Sequence, residues 1–289
     1  MVICASVKTE EIDPFKDIRP FQNTPSPTPT PIPQPWYQQI TWRRELYGLG
    51  ITEIGQKTRE DHRTYLRLAA GLELTTPFSS QTRTFASGNL QLRVMWRDQP
   101  LETTLDPMGR DAPEWRLETH NAYLDLLSPI GPPGRFNLRM GRAYLPFGLN
   151  VQTDTHASLL PLSNDRLFGT ERDWQITAYG NALEPLDYWL GYIFGTGMDQ
   201  EWKGQHGLAI GRLALANRFL FEQGLEGGVS FAIGERVDPH AELESPIRTW
   251  RLGLDARHRH NTSAGPFTGT LELAAGEDNH DHLLSFLGQ

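Results

Sequence analysis

One pattern limits what this chain can fold into more than any other: strict two-residue alternation. Between Asn89 and Arg97, the apolar Leu90, Leu92, Val94 and Trp96 alternate with Asn89, Gln91, Arg93, Met95 and Arg97. Successive side chains of a β-strand point to opposite faces, so this stretch carries one greasy face and one charged face. The pattern returns in Arg135-Phe-Asn-Leu-Arg-Met140, where Phe136, Leu138 and Met140 face away from Arg135, Asn137 and Arg139. It restarts in Glu171-Arg-Asp-Trp-Gln-Ile-Thr-Ala-Tyr-Gly180, with Trp174, Ile176 and Ala178 opposite Gln175, Thr177 and Tyr179.

Further apolar rows begin near Trp42, at Tyr47, Leu49 and Ile51, then at Leu66, Leu68, Ala70, Leu72 and Leu74. Around Trp115 to Leu127 the phase is irregular: Ala122, Leu124 and Leu126 agree, but Glu118 and His120 share their parity, as a bulge would allow. Rows follow at Tyr188, Leu190, Tyr192 and Phe194, in Gly207 to Leu215, and at Val229, Phe231 and Ile233. The series closes with Trp250, Leu252, Leu254 and Ala256, then Phe267, Gly269, Leu271, Leu273 and Ala275. The count is about eleven strands, with a twelfth starting near His282.

Strands with a fatty and a wet face suit either a soluble sheet with a core or a transmembrane barrel. No run of about 18 apolar residues exists to make a membrane helix, but barrel strands need an apolar residue only at alternate positions. The 27 glycines, 8 tryptophans and 13 phenylalanines fit tight turns and interfacial girdles. Connection lengths favour the barrel: those near residues 98–114, 143–170 and 234–247 are long and those near 76–83, 128–134, 182–185 and 259–265 are short. Barrels of the outer membrane have this asymmetry of ends. The expected fold class is therefore all-β, an antiparallel transmembrane β-barrel over residues 42–289.

Ahead of it, residues 1–41 read as a signal remnant and a disordered, proline-rich periplasmic linker. Thr24-Pro-Ser-Pro-Thr-Pro-Thr-Pro-Ile-Pro-Gln-Pro35 favours extended polyproline geometry and no packed core. Met1 to Lys8 lacks the basic region of a complete export signal, and the lone Cys4 permits no internal disulfide. A net charge of -8 argues against nucleic acid as a partner.

The order of strand, Gly141-Arg142, Pro146-Phe147-Gly148, long polar stretch, Arg172-Asp173 and strand resembles the phosphate-selective porin O/P family of bacterial outer membranes. Leu190-Gly-Tyr-Ile-Phe-Gly-Thr-Gly197, Gly211-Arg-Leu213 and Gly265-Pro-Phe-Thr-Gly-Thr-Leu-Glu-Leu273 are similar to it as well. The resemblance covers residues 44 to 289. It implies a bacterial outer-membrane location, a homotrimer and a longer sixteen-strand barrel, of which this chain would be a fragment incomplete at both ends; a barrel of twelve strands is the alternative. It also implies that Leu149 to Thr170 folds inward, with Asp154, His156, Asn164, Asp165 and Arg166 at the constriction.

With the apolar rows toward lipid, Arg67, Arg93, Arg97, Arg135, Arg139, Arg251 and Arg257 become pore-lining, against Glu73, Asp255 and Glu272. Such a lumen would focus positive potential and favour small anionic solutes. The alternative is that these arginines pair with carboxylates and simply fill the interior. Phosphate specificity has less support, since Lys8, Lys16, Lys57 and Lys203 all lie outside clear strand interiors. Passive diffusion of small, preferentially anionic solutes is the expected function, and a sheath or scaffold for a periplasmic or electron-transfer partner is the alternative.

Enzyme chemistry is not expected. His258-Arg-His260 and His280-Asp-His282 have metal-like spacing without an obvious third ligand. Asp255 with Glu272 could be imagined as an acid and base pair, although facing strands bring such groups together by chance. No cofactor is expected.

Overall fold

The computed structural model describes residues 39–53, 63–80, 83–97, 114–149, 172–195, 206–215, 224–237, 246–262, 265–279 and 281–288. Expectations for the proline-rich segment, and for Asp154, His156, Asn164, Asp165 and Arg166, lie outside the described residues. The strands are β1 (Thr41–Glu53), β2 (Arg63–Ser79), β3 (Thr84–Arg97), β4 (Glu114–Leu127), β5 (Asn137–Tyr144) and β6 (Arg172–Leu183). They continue with β7 (Leu186–Ile193), β8 (Gly207–Leu215), β9 (Leu225–Val237), β10 (Pro246–Thr262), β11 (Gly265–Asp278) and β12 (Asp281–Gly288). All belong to one 12-stranded antiparallel sheet whose order follows the chain from β1 to β12. The all-β antiparallel class expected from the alternation is the class observed, including the twelfth strand.

Two compact units divide the chain, Met1–His120 and Asn121–Gln289. In the first, Glu45 faces Gly71 and Arg43 faces Glu73 across β1 and β2, while Gly71 also faces Arg93 across β2 and β3. In the second, β10 is the longest strand and is paired along its length: Leu254 stands opposite Val229 of β9 and Leu273 of β11.

Each unit is inverted in polarity relative to a water-soluble sheet. In the first, Leu68, Leu72, Leu90, Leu92 and Val94 are exposed, whereas Gln91 and Arg93 are each 2% exposed. In the second, Leu190, Leu213, Val229, Phe231, Ile233, Leu252, Leu254, Leu271 and Leu273 are exposed. Their strand neighbours Arg212, Ser230, Arg251, Asp255 and Glu272 are buried. Burying charge while presenting contiguous leucine to the surroundings makes sense only when those surroundings are apolar.

The outward rows have bounded height. On β11 the row runs from Phe267 to Ala275 and stops at Glu277, a length close to the 9–11 residues a tilted strand needs to cross a bilayer. On β10 it starts at Trp250, whose indole N–H donates to Glu277 Oε2 at 3.4 Å, and gives way to His258 and His260. Tyr188 and Tyr192 lie on the outward row of β7 and donate to the carbonyls of Arg135 and His206, at 3.0 Å and 3.4 Å.

Two details of phase differ from the expectation. On β1 the exposed apolar residues are Trp42 and Leu46, while Arg43 and Glu45 turn inward. The side chains of the row read at Tyr47, Leu49 and Ile51 lie outside the described residues. On β4 the inward parity changes at His120 and Asn121, which are consecutive and both buried. That switch lets Glu118 and Asp125, of opposite parity, both face inward.

The expected asymmetry of connections holds in part. In the first unit, β2 and β3 are joined tightly by residues 80–83, where Ser80 N–H donates to the Arg83 carbonyl at 2.8 Å. In the second, the connections after β5 and β7 are the longest and those after β6 and β10 are tight, while those after β4, β8 and β9 are of similar intermediate length and that after β11 is tight.

Candidate functional site

The buried face of the first unit is a charge-compensated network. Glu45 accepts from Arg93 Nε at 2.6 Å and from the Gln91 amide. Arg43 Nη2 lies 3.0 Å from Glu45 Oε1 and 3.0 Å from Glu73 Oε2. Asn89 donates to Glu73 at 2.7 Å, and Arg93 Nη1 stands 3.0 Å from His120 Nδ1.

The second unit repeats the arrangement on a larger scale. Asp125 takes Arg139 in a fork at 2.8 Å and 2.9 Å, and the guanidinium lies 4.1 Å from the Tyr123 ring and 5.4 Å from Tyr179. Arg212 grips Asp255 at 3.1 Å and 2.5 Å with both side chains fully buried. Arg251 and Arg236 share Asp278, at 2.6 Å and 2.9 Å, and Arg257 holds Glu226 at 2.7 Å. Arg172 donates to the Tyr144 hydroxyl and covers its ring at 3.8 Å. A charge removed from water is costly unless paired and hydrogen-bonded. The partners found here meet that requirement in large part, leaving some guanidinium nitrogens such as Arg212 Nη1 without a protein acceptor, and at the same time cancel much of the positive field.

Across this polar face runs Leu145-Pro-Phe-Gly-Leu149, the segment that leaves β5. Phe147 N–H donates to the Leu145 carbonyl at 2.9 Å, a γ-turn for which proline at the centre is suited. Leu145 and Phe147 then insert into an apolar cluster with Ile193, Leu208, Ile210, Ala232 and Ala274. Burial of each is worth about 1.5–3 kcal/mol. Gly148 N–H donates to Ser230 Oγ at 2.9 Å and Leu149 N–H to Glu272 Oε2 at 3.2 Å. Gly148 has φ 57° and lies against the Glu272 carboxylate, so both its backbone and its space exclude a side chain. Serine 230 to alanine leaves the Gly148 N–H unpaired; we expect a loss of about 1 kcal/mol, read as a lower urea midpoint for the protein folded in lipid vesicles.

Of the arginines expected to line the interior, Arg93, Arg251 and Arg257 are buried on the polar face and Arg139 is partly buried there. Arg135 is exposed in the turn before β5 and donates to the Ala182 carbonyl at 2.6 Å. Arg67 and Arg97 are paired across β2 and β3 by backbone register, and their side chains lie outside the described residues. Asp255 and Glu272 are direct cross-strand partners, but each is already engaged, by Arg212 and by Leu149 N–H. His258 and His260 stack with ring centroids 6.1 Å apart on the outward row. Among the described residues no group of three or more His, Cys, Asp or Glu could hold a metal ion.

Arg142, Arg172, Arg212 and Arg236 also turn inward, and sequence reasoning missed them. Arg212 shares its row with Leu208, Ile210 and Ala214, so β8 looks equally apolar on both faces and its alternation carries no sign.

No protein-family profile matches the chain, and no curated protein does. Among solved structures it is similar to a mutant of the Rh. blastica porin, at 10% identity over 86% of this chain and 98% of that one, with a TM-score of 0.29. A superposition that loose does not establish a shared fold.

Proposed function

We propose that the chain forms the wall of an outer-membrane β-barrel channel that passes small solutes by diffusion, with a weak preference for anions. The carrying observation is the inverted polarity: Leu252 and Leu254 outside, Arg251 and Asp255 inside, strand after strand. Lipid satisfies the first face and water the second, and antiparallel strands in chain order are how a sheet crosses a membrane. The preference is weak because Arg93, Arg139, Arg251 and Arg257 all carry carboxylate partners. Close opposite charges leave little net potential for a passing ion. The segment Leu145 to Leu149 narrows the passage from inside, held by Ser230 and Glu272.

Planar-bilayer recording tests this. The reconstituted protein should pass ohmic current, with a reversal potential in a salt gradient displaced slightly toward that of the anion. Protein folded in vesicles that conducts nothing would overturn the channel reading and favour a sheath; a clear cation preference would overturn the charge assignment.

A further inference from the structure

Three of the inward ion pairs skip a strand: Arg236 on β9 reaches Asp278 on β11 past Thr249, and the other two cross a glycine. Arg93 on β3 reaches Glu45 on β1, and Arg212 on β8 reaches Asp255 on β10. In each of these two the strand between offers a glycine at the crossing. Gly71 is the direct partner of Glu45 on one side and of Arg93 on the other. Gly228 is the direct partner of Asp255, and Arg212 is opposite Ser230, two residues along on the same face.

Space at both glycines is fully used. A Cβ on Gly71 would lie 2.9 Å from Arg93 Cγ and 3.3 Å from Glu45 Oε2. A Cβ on Gly228 would lie 2.6 Å from Arg212 Nη2, 2.8 Å from Cζ and 2.9 Å from Nε. Carbon and nitrogen do not approach so closely without contact repulsion. Two inter-strand gaps span roughly 9–10 Å, so an arginine and an aspartate meet across them only if the guanidinium lies low over the middle strand. At Gly71 and Gly228 a Cβ would press on the arginine where it crosses and lift it from the wall; Arg236 reaches Asp278 past Thr249 without such a seat. Gly253 serves Phe147 in the same way: a Cβ there would stand 2.8 Å from Phe147 Cζ.

We propose that Gly71 and Gly228 are positioning residues, seats on which strand-skipping ion pairs lie flat, and that they keep the guanidinium groups neutralised and out of the passage. The proposal rests on reading the polar face as the lining of a channel. It assigns to two glycines a share in setting both the bore and the charge that a solute meets.

Gly228→Ala is the direct test, because the atoms it disturbs are the far end of a flexible side chain and the fold can yield. Gly227→Ala is the control: its Cβ would meet only the Asp255 carbonyl oxygen, at an ordinary 3.5 Å. In planar bilayers Gly228→Ala should lower single-channel conductance and raise the anion-to-cation permeability ratio about twofold. Gly227→Ala should do neither. In an Arg212→Gln background, Gly228→Ala should change nothing further. Wild-type conductance and selectivity in Gly228→Ala, equal effects from Gly227→Ala, or an undiminished effect without Arg212 would each overturn the seat. If the unsubstituted chain passes no current, the channel reading falls by itself, and urea midpoints in vesicles read the seat instead. There Gly228→Ala should be non-additive with Arg212→Gln while Gly227→Ala is additive, and additivity of both would overturn the proposal.

Discussion

Leu254→Arg should destabilise the protein in lipid vesicles by about 2–4 kcal/mol, the cost of an arginine near the middle of a bilayer. Leu254 is 55% exposed, near the middle of the outward row on β10, between Leu252 and Ala256 and flanked by Val229 and Leu273. In a water-soluble sheet an exposed leucine exchanged for arginine changes stability by only about 0.5 kcal/mol either way, so the two solvents predict different results from one substitution. His260→Arg supplies the internal comparison. It lies on the same outward row but beyond the apolar stretch, where the penalty should shrink to about 0–1 kcal/mol. Tryptophan fluorescence during urea titration of the vesicle-folded protein measures both. Equal and negligible effects at the two positions would mean that the apolar face meets water or protein, and the membrane assignment would fail.

Alternation made the sheet legible because outward and inward side chains experience different solvents, and strands such as β3 and β10 record that difference at every residue. Even the irregular β4 was readable as a defect, and its cause is the parity change at His120 and Asn121. At the start of β1 the outward Trp42 and Leu46 were not legible, since the charged Arg43, Arg44 and Glu45 lie on both parities. The interior was legible only as a roster of arginines. Pairing depends on which strands lie beside or two away from each other, and no local pattern carries that: Arg212 meets Asp255 across an intervening strand, and Arg93 meets Glu45 likewise. The charge count on the inward face was therefore read as more positive than its pairing leaves it. Pro146-Phe147-Gly148 was visible as a motif, but its seat under Ser230, Gly253 and Glu272 is a contact between residues far apart in the chain.

Breaking the fully buried Arg212–Asp255 pair should cost at least as much as placing arginine on the outward row. Asp255→Leu removes the carboxylate from Arg212 while both side chains are fully buried, and an uncompensated buried charge costs about 3–5 kcal/mol. Glu272, directly opposite Asp255, is the nearest substitute by register, but turning it toward Arg212 would release Leu149 N–H and loosen the inward segment. Stability is lost by either route. Arg212→Met combined with Asp255→Leu removes both charges together and should cost much less than the single change, because apolar replacement of a buried pair is often close to neutral. Urea midpoints of the two variants in vesicles measure the difference. Equal losses would mean the two side chains are not a coupled unit. A loss below about 1 kcal/mol from Asp255→Leu alone would mean water reaches Arg212 at that depth, and the guanidinium would then stand as an open charge in the passage, with a rise in anion permeability as its second signature.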